Sequence, residues 1–277
     1  MLFPKISIIT VTVQPLCDLE KTADSILAQV GTGINFEWIL VVGRHFEEYQ
    51  DFFLSSRQRD YVKLFYQEPT GIYSAMNLGM SKVLGDWIWF INCGDFLKDQ
   101  NVLEMLGTIM IGNPKVDFIA SPVLYTTPQG DWFDVSWPKI LDVPSGREAH
   151  VHHQGVLLQR IICEKIEGGF DTRLRFAADG KFLDIAAGQS NVLIIDSILA
   201  VFVMGGASSK NYISTVREAA TYRKSERLNF CSVVKNWARE VIVKILNYRR
   251  ISLLIRPFVR FRSRQVKKII ALRSITK

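Results

Sequence analysis

Two aspartates stand in this sequence where a carboxylate could do chemistry. Asp95 follows a continuous apolar run, residues 87–91, that is typical of a strand covered on both faces. Because open α/β sheets bind ligands beyond the carboxyl ends of their strands, this position favours a ligand-binding carboxylate. Asp179 precedes an apolar-periodic helix. Helix capping is the alternative role for both residues, since aspartate favours such positions.

A cluster of histidines is the other candidate site. The segment HVHHQGVLLQ, residues 150–159, carries three histidines within four residues. Zinc binding is one interpretation, but no cysteine and no second histidine cluster completes a ligand set, and neighbouring side chains diverge on a strand. We therefore expect His153 and Gln154 to line a cleft.

The elements that must position these side chains alternate between strand and helix. Apolar, β-branched runs predict strands at Ile6–Thr12, Phe36–Val42 and Val62–Tyr66, and residues 68–95 combine a helix with the strand before the acidic loop. Strands and helices that alternate at this spacing predict an α/β fold with a mostly parallel sheet and right-handed crossovers.

Composition limits the class of protein. The chain has 277 residues, 48% of them hydrophobic, which is enough for one large domain or two fused subdomains. Its four cysteines are widely separated and form no CxxC pair, which favours a reducing compartment. The first residues show no charged leader with a cleavage site, and the longest apolar run, residues 192–203, is too short to span a bilayer. We expect a cytoplasmic protein.

Positive charge is concentrated near the carboxyl end. Residues 235–277 contain 13 Lys or Arg against the single Glu240, in a chain of net charge +7. Apolar residues between positions 234 and 248 share a helical face, which predicts a basic amphipathic helix at an anionic membrane surface. Nucleic-acid binding and an ordinary solvated helix are the alternatives. Because the first 234 residues show no basic face, we expect no nucleic-acid partner.

Two linked motifs carry a resemblance to a known family. EPTGIYSAMN, residues 68–77, followed by GDWIWFINCGD, residues 85–95, resembles the signature "EPD.GIYDAMN" and "GD...FLN.GD" of the family 2 inverting glycosyltransferases, above all the colanic-acid and O-antigen branch. The resemblance implies a GT-A fold with a nucleotide-diphosphate sugar as donor substrate. It also implies a divalent cation, Mn²⁺ or Mg²⁺, that Asp95 holds on the diphosphate.

The resemblance breaks at three positions on the donor side. Val42 stands where the family has the aspartate that contacts the uracil base, and Thr70 and Ser74 replace two further aspartates. A carboxylate bound to a base N–H contributes roughly 1.5–3 kcal/mol, so its loss would weaken binding about tenfold or more. Either another residue such as Arg44 or Glu47 reads the nucleotide, or the donor is not the usual uridine sugar, or the chain has lost activity.

The resemblance also supplies site residues. GGFDTRLRFAAD, residues 168–179, is similar to the family segment "GFDE....(S/E)DY", whose last aspartate is the catalytic base, which implies that role for Asp179. Asp171 is a weaker candidate. On the same grounds we expect the donor and its diphosphate to contact Thr10, Val42, Glu68, Gly71, Asn77, Asn92, Gly94, Asp95, His153 and Gln154.

These patterns divide the chain into three parts. We expect a nucleotide-sugar-binding half at 1–111, an acceptor-binding and catalytic half at 112–211, and a helical, membrane-associating tail at 212–277. The implied reaction moves a hexosyl group with inversion to a lipid-linked oligosaccharide acceptor, carried on polyprenyl diphosphate at the cytoplasmic face of the inner membrane, in surface polysaccharide biosynthesis. A catalytically impaired scaffold is one alternative. A nucleotidyltransferase is another, but residues 10–16 are not the phosphate loop that it needs.

Overall fold

A seven-stranded sheet forms the centre of the computed structural model, which describes residues 4–55, 59–144, 146–205, 212–223, 263–267 and 270. The strands are β1 Ile6–Thr12, β2 Phe36–Val42, β3 Val62–Tyr66, β4 Trp87–Phe90, β5 Phe96–Leu97, β6 Phe118–Ala120, β7 Val123–Thr126, β8 Trp132–Ser136, β9 Lys139–Val143, β10 Gly146–His150, β11 Val156–Gln159, β12 Val192–Ile194 and β13 Ala200–Val203. The helices are α1 Glu20–Leu27, α2 Phe46–Ser55, α3 Ile72–Ser81, α4 Val102–Gly112, α5 Arg160–Lys165, α6 Ala178–Gly188 and α7 Tyr212–Ala219, with 3₁₀ turns at Leu16–Asp18, Arg59–Tyr61 and His153–Gly155.

The strand order reverses direction at β1. The order is β12-β6-β11-β4-β1-β2-β3, and neighbours run parallel except that β11 is antiparallel to both β4 and β6. The chain therefore moves from β1 to β2 and β3 on one side, and later returns to the other side of β1 as β4. Ligand sites in open α/β sheets lie at such a reversal. The predicted α/β fold with a mostly parallel sheet is confirmed.

Both faces of the central sheet are covered, which explains its uninterrupted apolar strands. Every residue of β1 and β2 is buried. Helices α1, α2 and α4 pack on one face around Trp38 and Trp89, whereas α3 and α6 pack on the other around Phe90 and Phe182. Strands buried on both faces show continuous hydrophobic runs because neither set of alternating side chains meets water.

A second sheet of four strands, in the order β5-β13-β7-β8, adjoins the acidic loop. Strand β5 follows that loop directly, and β13 ends at Val203, whose N–H donates to Asp95. The helical residues 263–267 pack on this sheet, where Val266 lies in one apolar cluster with Leu124 and Val201.

Two sets of contacts cross the predicted boundaries between the parts of the chain. The boundary predicted at residue 111 would divide the central sheet, because β11 comes after it and pairs with β4, which comes before it. Helix α7, at the start of the predicted tail, packs against α6 and the loop before it. The Glu218 carboxylate accepts the N–H of Phe176 at 2.7 Å, and Arg223 pairs with Asp184 at 2.7 Å.

Most of the predicted basic tail lies outside the described residues, which omit 224–262. The amphipathic, membrane-binding helix predicted there stays a prediction. Within the part of the chain that the structure describes, no helix is both long and apolar enough to cross a membrane.

Candidate active site

The acidic loop after β4 is shaped by a glycine and by a threonine from α1. Gly94 has φ +91°, a conformation that L side chains rarely adopt, and its N–H donates to Thr22 Oγ1 at 2.9 Å. The Thr22 hydroxyl in turn donates to the backbone oxygen of Asp95 at 2.6 Å. These bonds fix Asp95 just beyond the carboxyl end of β4.

Asp95 is buried, and both of its carboxylate oxygens accept hydrogen bonds. Oδ1 accepts the Val203 N–H at 2.9 Å, and Oδ2 accepts the side-chain amide of Gln154. Only 4% of the residue is exposed. Burial raises the pKa of Asp95 to about 7, although the hydrogen bonds from Val203 and Gln154 oppose the rise. Near neutral pH the carboxyl group is therefore only partly ionised.

Asp179 lies in the first turn of α6 and faces three donors. Oδ2 is 3.0 Å from His153 Nδ1, while Oδ1 accepts the Tyr73 hydroxyl at 3.0 Å and the Gly180 N–H at 2.9 Å. Burial alone would raise the pKa of Asp179, but these donors, His153 foremost, lower it below the usual range. The N-cap of α6 is Ala177, which has no side-chain cap. Asp179 is thus an anion at neutral pH, the form that accepts a proton.

The dipeptide of His153 and Gln154 connects the two carboxylates. His153 contacts Asp179 through Nδ1, and its Nε2 lies 2.9 Å from the side-chain amide nitrogen of Asn92. With Asn92 as donor, Nε2 accepts and Nδ1–H donates to Asp179, which assigns the tautomer. Gln154 reaches Asp95 from the same turn. One two-residue segment therefore contacts both candidate carboxylates.

The antiparallel direction of β11 brings this dipeptide to the site. The 3₁₀ turn His153–Gly155 immediately precedes β11, and the start of β11 lies at the same edge of the sheet as the end of β4. Gly155 is required for close packing there, since a Cβ at this position would lie 2.4 Å from the Ser121 backbone oxygen.

Two buried side-chain oxygens bear on whether the site fits a divalent cation. Asn92 Oδ1 and Gln154 Oε1 have no hydrogen-bond partner among the described residues. In that same part of the chain, no group of three His, Cys, Asp or Glu side chains could hold a metal ion. The site is therefore not an all-protein cage. It fits a cation that arrives with phosphate ligands, because Mg²⁺ is usually held by one or two carboxylates together with substrate phosphates.

Three residues predicted to contact the donor direct their side chains to partners within the protein. The buried Thr10 hydroxyl donates to a backbone oxygen at 2.6 Å and accepts from Trp38 Nε1 at 2.9 Å. The Val42 side chain is fully buried in the core. Asn77 holds the turn before α6, with Oδ1 2.8 Å from the Phe170 nitrogen. Their contact with a donor stays a prediction, and their side chains as placed do not support it.

Glu68 and Gly71 lie at the exposed entrance to α3. The Glu68 carboxylate accepts the Tyr66 hydroxyl at 2.6 Å. Gly71 has φ +138° and is the N-cap of α3, which lacks a side-chain cap. Because α3 begins just beyond the carboxyl end of β3, its first-turn N–H groups are available to phosphate at the same edge of the sheet.

Tyr73 is a site residue that sequence reasoning missed. Its hydroxyl binds Asp179, and burial together with the Asp179 charge raises the pKa of Tyr73 well above the ordinary value. The residue is part of the motif GIYSAMN, which is the one signal that could have singled it out. A tyrosine on the apolar face of a helix otherwise indicates core packing, and local patterns do not reveal a partner 106 residues away.

Comparison with known proteins gives a family and two groups of relatives. A family model described as glycosyl transferase family 2 matches residues 7–164, more than half of the chain. An uncharacterised glycosyltransferase of Mycobacterium tuberculosis is 25% identical over 227 residues, 77% of this chain and 80% of that protein. A PGL/p-HBAD biosynthesis glycosyltransferase of Mycobacterium bovis is 25% identical over 187 residues, 66% of this chain and 69% of that protein.

Solved structures share the fold. S. aureus TarS aligns with a TM-score of 0.59 at 13% identity, and the match covers 86% of this chain but only 43% of TarS. The 1–349 fragment of TarS in complex with UDP-GlcNAc gives a TM-score of 0.59 at 13% identity, over 88% of this chain and 73% of the fragment. The fold is thus that of the GT-A glycosyltransferases. Since the family model covers residues 7–164, the chain belongs to glycosyl transferase family 2.

Proposed function

We propose that the protein transfers a hexosyl group from a nucleotide-diphosphate sugar to a saccharide hydroxyl, with inversion at the anomeric carbon. One observation carries the proposal: His153 links Asp179 to Asn92, three residues before Asp95. A candidate base is thereby joined to the loop expected to hold the leaving diphosphate. The UDP and UDP-GlcNAc complexes of TarS support a nucleotide sugar as donor.

Asp179 is the proton acceptor in this proposal. Its side chain is 26% exposed, so an acceptor hydroxyl can reach it, and its lowered pKa keeps it ionised. The acceptor oxygen bonds to the anomeric carbon while its proton passes to Asp179. The bond from that carbon to the diphosphate oxygen breaks, and its electron pair leaves on the nucleoside diphosphate. His153 and Tyr73 hold the carboxylate in position.

Asp95 and Asn92 are the residues that would hold Mn²⁺ or Mg²⁺, which would neutralise charge on the leaving diphosphate. Asn92 supplies an unpartnered amide oxygen and Asp95 the only carboxylate of this loop. The uncapped N-terminus of α3 adds backbone N–H groups at the same edge.

The acceptor in our proposal is a saccharide on polyprenyl diphosphate, in surface polysaccharide synthesis of the colanic-acid or O-antigen type. Two features support it: the signature motifs at 68–95, and the 13 Lys or Arg between residues 235 and 277. Each such cation contributes about 1 kcal/mol to binding near an anionic membrane surface. The protein would then be peripheral on the cytoplasmic face of the membrane.

Calorimetry with UDP-, GDP- and dTDP-sugars, with and without Mn²⁺, tests the donor site. We expect metal-dependent binding of at least one nucleotide sugar, and loss of the metal dependence in Asp95→Asn. NMR of the product then reports whether the anomeric configuration has inverted. Absence of binding across the panel, for protein shown to be folded, would refute the proposal.

A scaffold without catalytic activity is the second candidate function. The observation that favours it is the buried Val42 side chain, together with Thr70 and Ser74 at two further positions where the motif has carboxylates. A scaffold would bind no nucleotide sugar with any cation. The same calorimetric panel therefore separates the two functions.

A further inference from the structure

The ends of β1, β2 and β3 converge on a small surface around Gly43. The Gly43 N–H donates to the Thr12 oxygen at 2.8 Å, and the Gln67 N–H donates to the Val42 oxygen at 3.1 Å. A Cβ on Gly43 would lie 2.9 Å from Val13 Cγ1 and 3.4 Å from the Pro69 Cβ. Val13 is 43% exposed and Pro69 is also exposed. Glycine thus lets Val13 and Pro69 pack close to the backbone at residue 43, and both exposed apolar side chains offer a surface that a flat ring can cover.

Gln67 places a polar group beside this apolar surface. Its side-chain nitrogen lies 2.6 Å from Ser74 Oγ and 3.4 Å from Thr70 Oγ1. Its side-chain oxygen, Oε1, is buried and has no hydrogen-bond partner among the residues that the structure describes. Buried polar groups are nearly always paired, so an acceptor without a partner points to a donor supplied from outside.

Two of the three departures from the family motif meet at the Gln67 side chain, and the third contacts the Gln67 backbone. Val42 accepts the Gln67 backbone N–H, while Thr70 and Ser74 hold the Gln67 amide. Each of the three stands where the motif has a carboxylate. The neutral side chains of Thr70 and Ser74 therefore form one hydrogen-bond network with the Gln67 amide.

The position of Gln67 suits the base end of a nucleotide. It follows β3 directly, whereas Asp95 follows β4, and the sheet order puts three strand intervals between β4 and β3. At about 4.8 Å per interval these ends are ~14 Å apart, the scale of an extended nucleoside diphosphate. A diphosphate at Asp95 thus leaves the base beside Gln67.

We propose that Gln67 reads the nucleobase of the donor, with its amide oxygen accepting the ring N3–H of a uracil or thymine that packs on Val13 and Pro69. This inference rests on the proposed function. Cytosine has the same shape but presents an acceptor at N3, which would face the Gln67 oxygen without a hydrogen atom between them. A site built to bond a ligand N–H rejects the analogue that lacks it.

The test compares UDP with CDP by calorimetry in the presence of Mn²⁺, for wild type, Gln67→Leu and Gln67→Glu. Wild type is expected to bind UDP at least tenfold more tightly than CDP. Gln67→Leu should lose tenfold or more in UDP affinity and bring the ratio close to one. Gln67→Glu keeps an acceptor and should keep the preference. Gln129→Leu, at an exposed glutamine between β7 and β8, is the matched control and should behave as wild type.

Each other outcome has a definite meaning. If wild type binds both nucleotides equally, or Gln67→Leu keeps the preference, the inference is wrong and the proposed function stands. If folded wild type binds neither nucleotide, the inference is wrong, and the panel of UDP-, GDP- and dTDP-sugars decides separately whether the proposed function stands. Should Gln67→Leu fail to fold, Gln67→Glu decides, and loss of its preference for UDP overturns the role of Gln67 as acceptor.

Discussion

His153 Nδ1 lies 3.0 Å from Asp179 Oδ2, and this pair joins the turn before β11 to the first turn of α6. Both side chains are mostly covered, with 17% of His153 and 26% of Asp179 exposed. Solvent and salt screen such a pair less than a surface pair, so each group has a direct effect on the other. We expect Asp179 and His153 to act as one unit.

Asp179→Asn should abolish most of the transfer and leave donor binding nearly intact. The amide keeps the shape of the side chain but cannot take a proton, and a positioned base contributes about 10²- to 10⁴-fold. Single-turnover rates and calorimetric donor affinities measure the two effects. Asp171→Asn is the matched control, because Asp171 pairs with Arg173 and Lys181 and should be dispensable for proton transfer. Full transfer by Asp179→Asn would show that the base is another residue.

His153→Ala should move the acidic limb of the pH–rate profile to higher pH. His153 is the foremost group that lowers the pKa of Asp179, so its removal raises that pKa. Since the ionised carboxylate is the active form, the variant loses activity at a higher pH than wild type as the solution is acidified. Profiles of kcat/KM measure the shift, with His150→Ala as control. An unchanged acidic limb would separate His153 from the ionisation of Asp179.

Asp95→Asn should stabilise the metal-free protein, and more at pH 8 than at pH 5. The pKa of Asp95 is raised from 3.8 to about 7, so its stabilising contribution is complete below pH 3.8 and is lost as pH rises through 7. Asparagine does not ionise, and its amide can donate to the unpartnered Gln154 Oε1 after a side-chain rotation. Calorimetric Tm values at both pH values test this, and an equal gain at both would contradict it.

Glu37→Gln should destabilise the fold at pH 7. Hydrogen bonds from Lys63, Ser7, the Leu84 N–H and Lys5 outweigh burial and lower the pKa of Glu37 from 4.5 to about 2. The resulting stabilisation, ~3 kcal/mol, is present above pH 4.5 and is lost as pH falls towards 2.

Urea unfolding of Glu37→Gln at several pH values measures this effect. The difference from wild type should shrink between pH 4.5 and 2, while the exposed control Glu104→Gln should show little change at any pH. A difference that does not depend on pH would mean that packing, and not ionisation, makes Glu37 important.

Gly155→Ala should lower both stability and transfer. The new Cβ would lie 2.4 Å from the Ser121 backbone oxygen, and such overpacking costs about 1–3 kcal/mol. Because Gly155 follows Gln154 directly, relief of the clash displaces the dipeptide that contacts both carboxylates. Gly112→Ala is the control, since nothing lies within 4 Å of a Cβ there. Thermal unfolding and transfer rates equal to those of Gly112→Ala would contradict this role for Gly155.

Sequence patterns predicted the sheet because its strands are buried on both faces, which leaves a simple apolar signature in β1 and β2. Motif positions also named Asp95, Asp179 and His153, which the structure brings together. What motifs do not encode is side-chain direction. Val42 is the last residue of β2, at the edge of the sheet where we propose that the donor binds, yet its side chain points into the core.

Sequence patterns also did not predict which side chains of different elements contact each other. Tyr73 contacts Asp179, 106 residues away. Even the nearby contacts of Gln67 with Thr70 and Ser74 require that β3 and α3 are folded. Helical periodicity describes one element at a time, so it assigns Tyr73 to the core and does not register its hydroxyl.

The adjacency of His153 and Gln154 has an evolutionary consequence. An insertion or deletion in this turn would separate the proposed proton acceptor, Asp179, from the acidic loop in a single event, so lineages that keep activity should hold the length of the turn constant. The β9–β10 hairpin lies outside this turn, so its length can change without this effect. New acceptor preferences would then arise by remodelling peripheral segments, while the two carboxylates are inherited together.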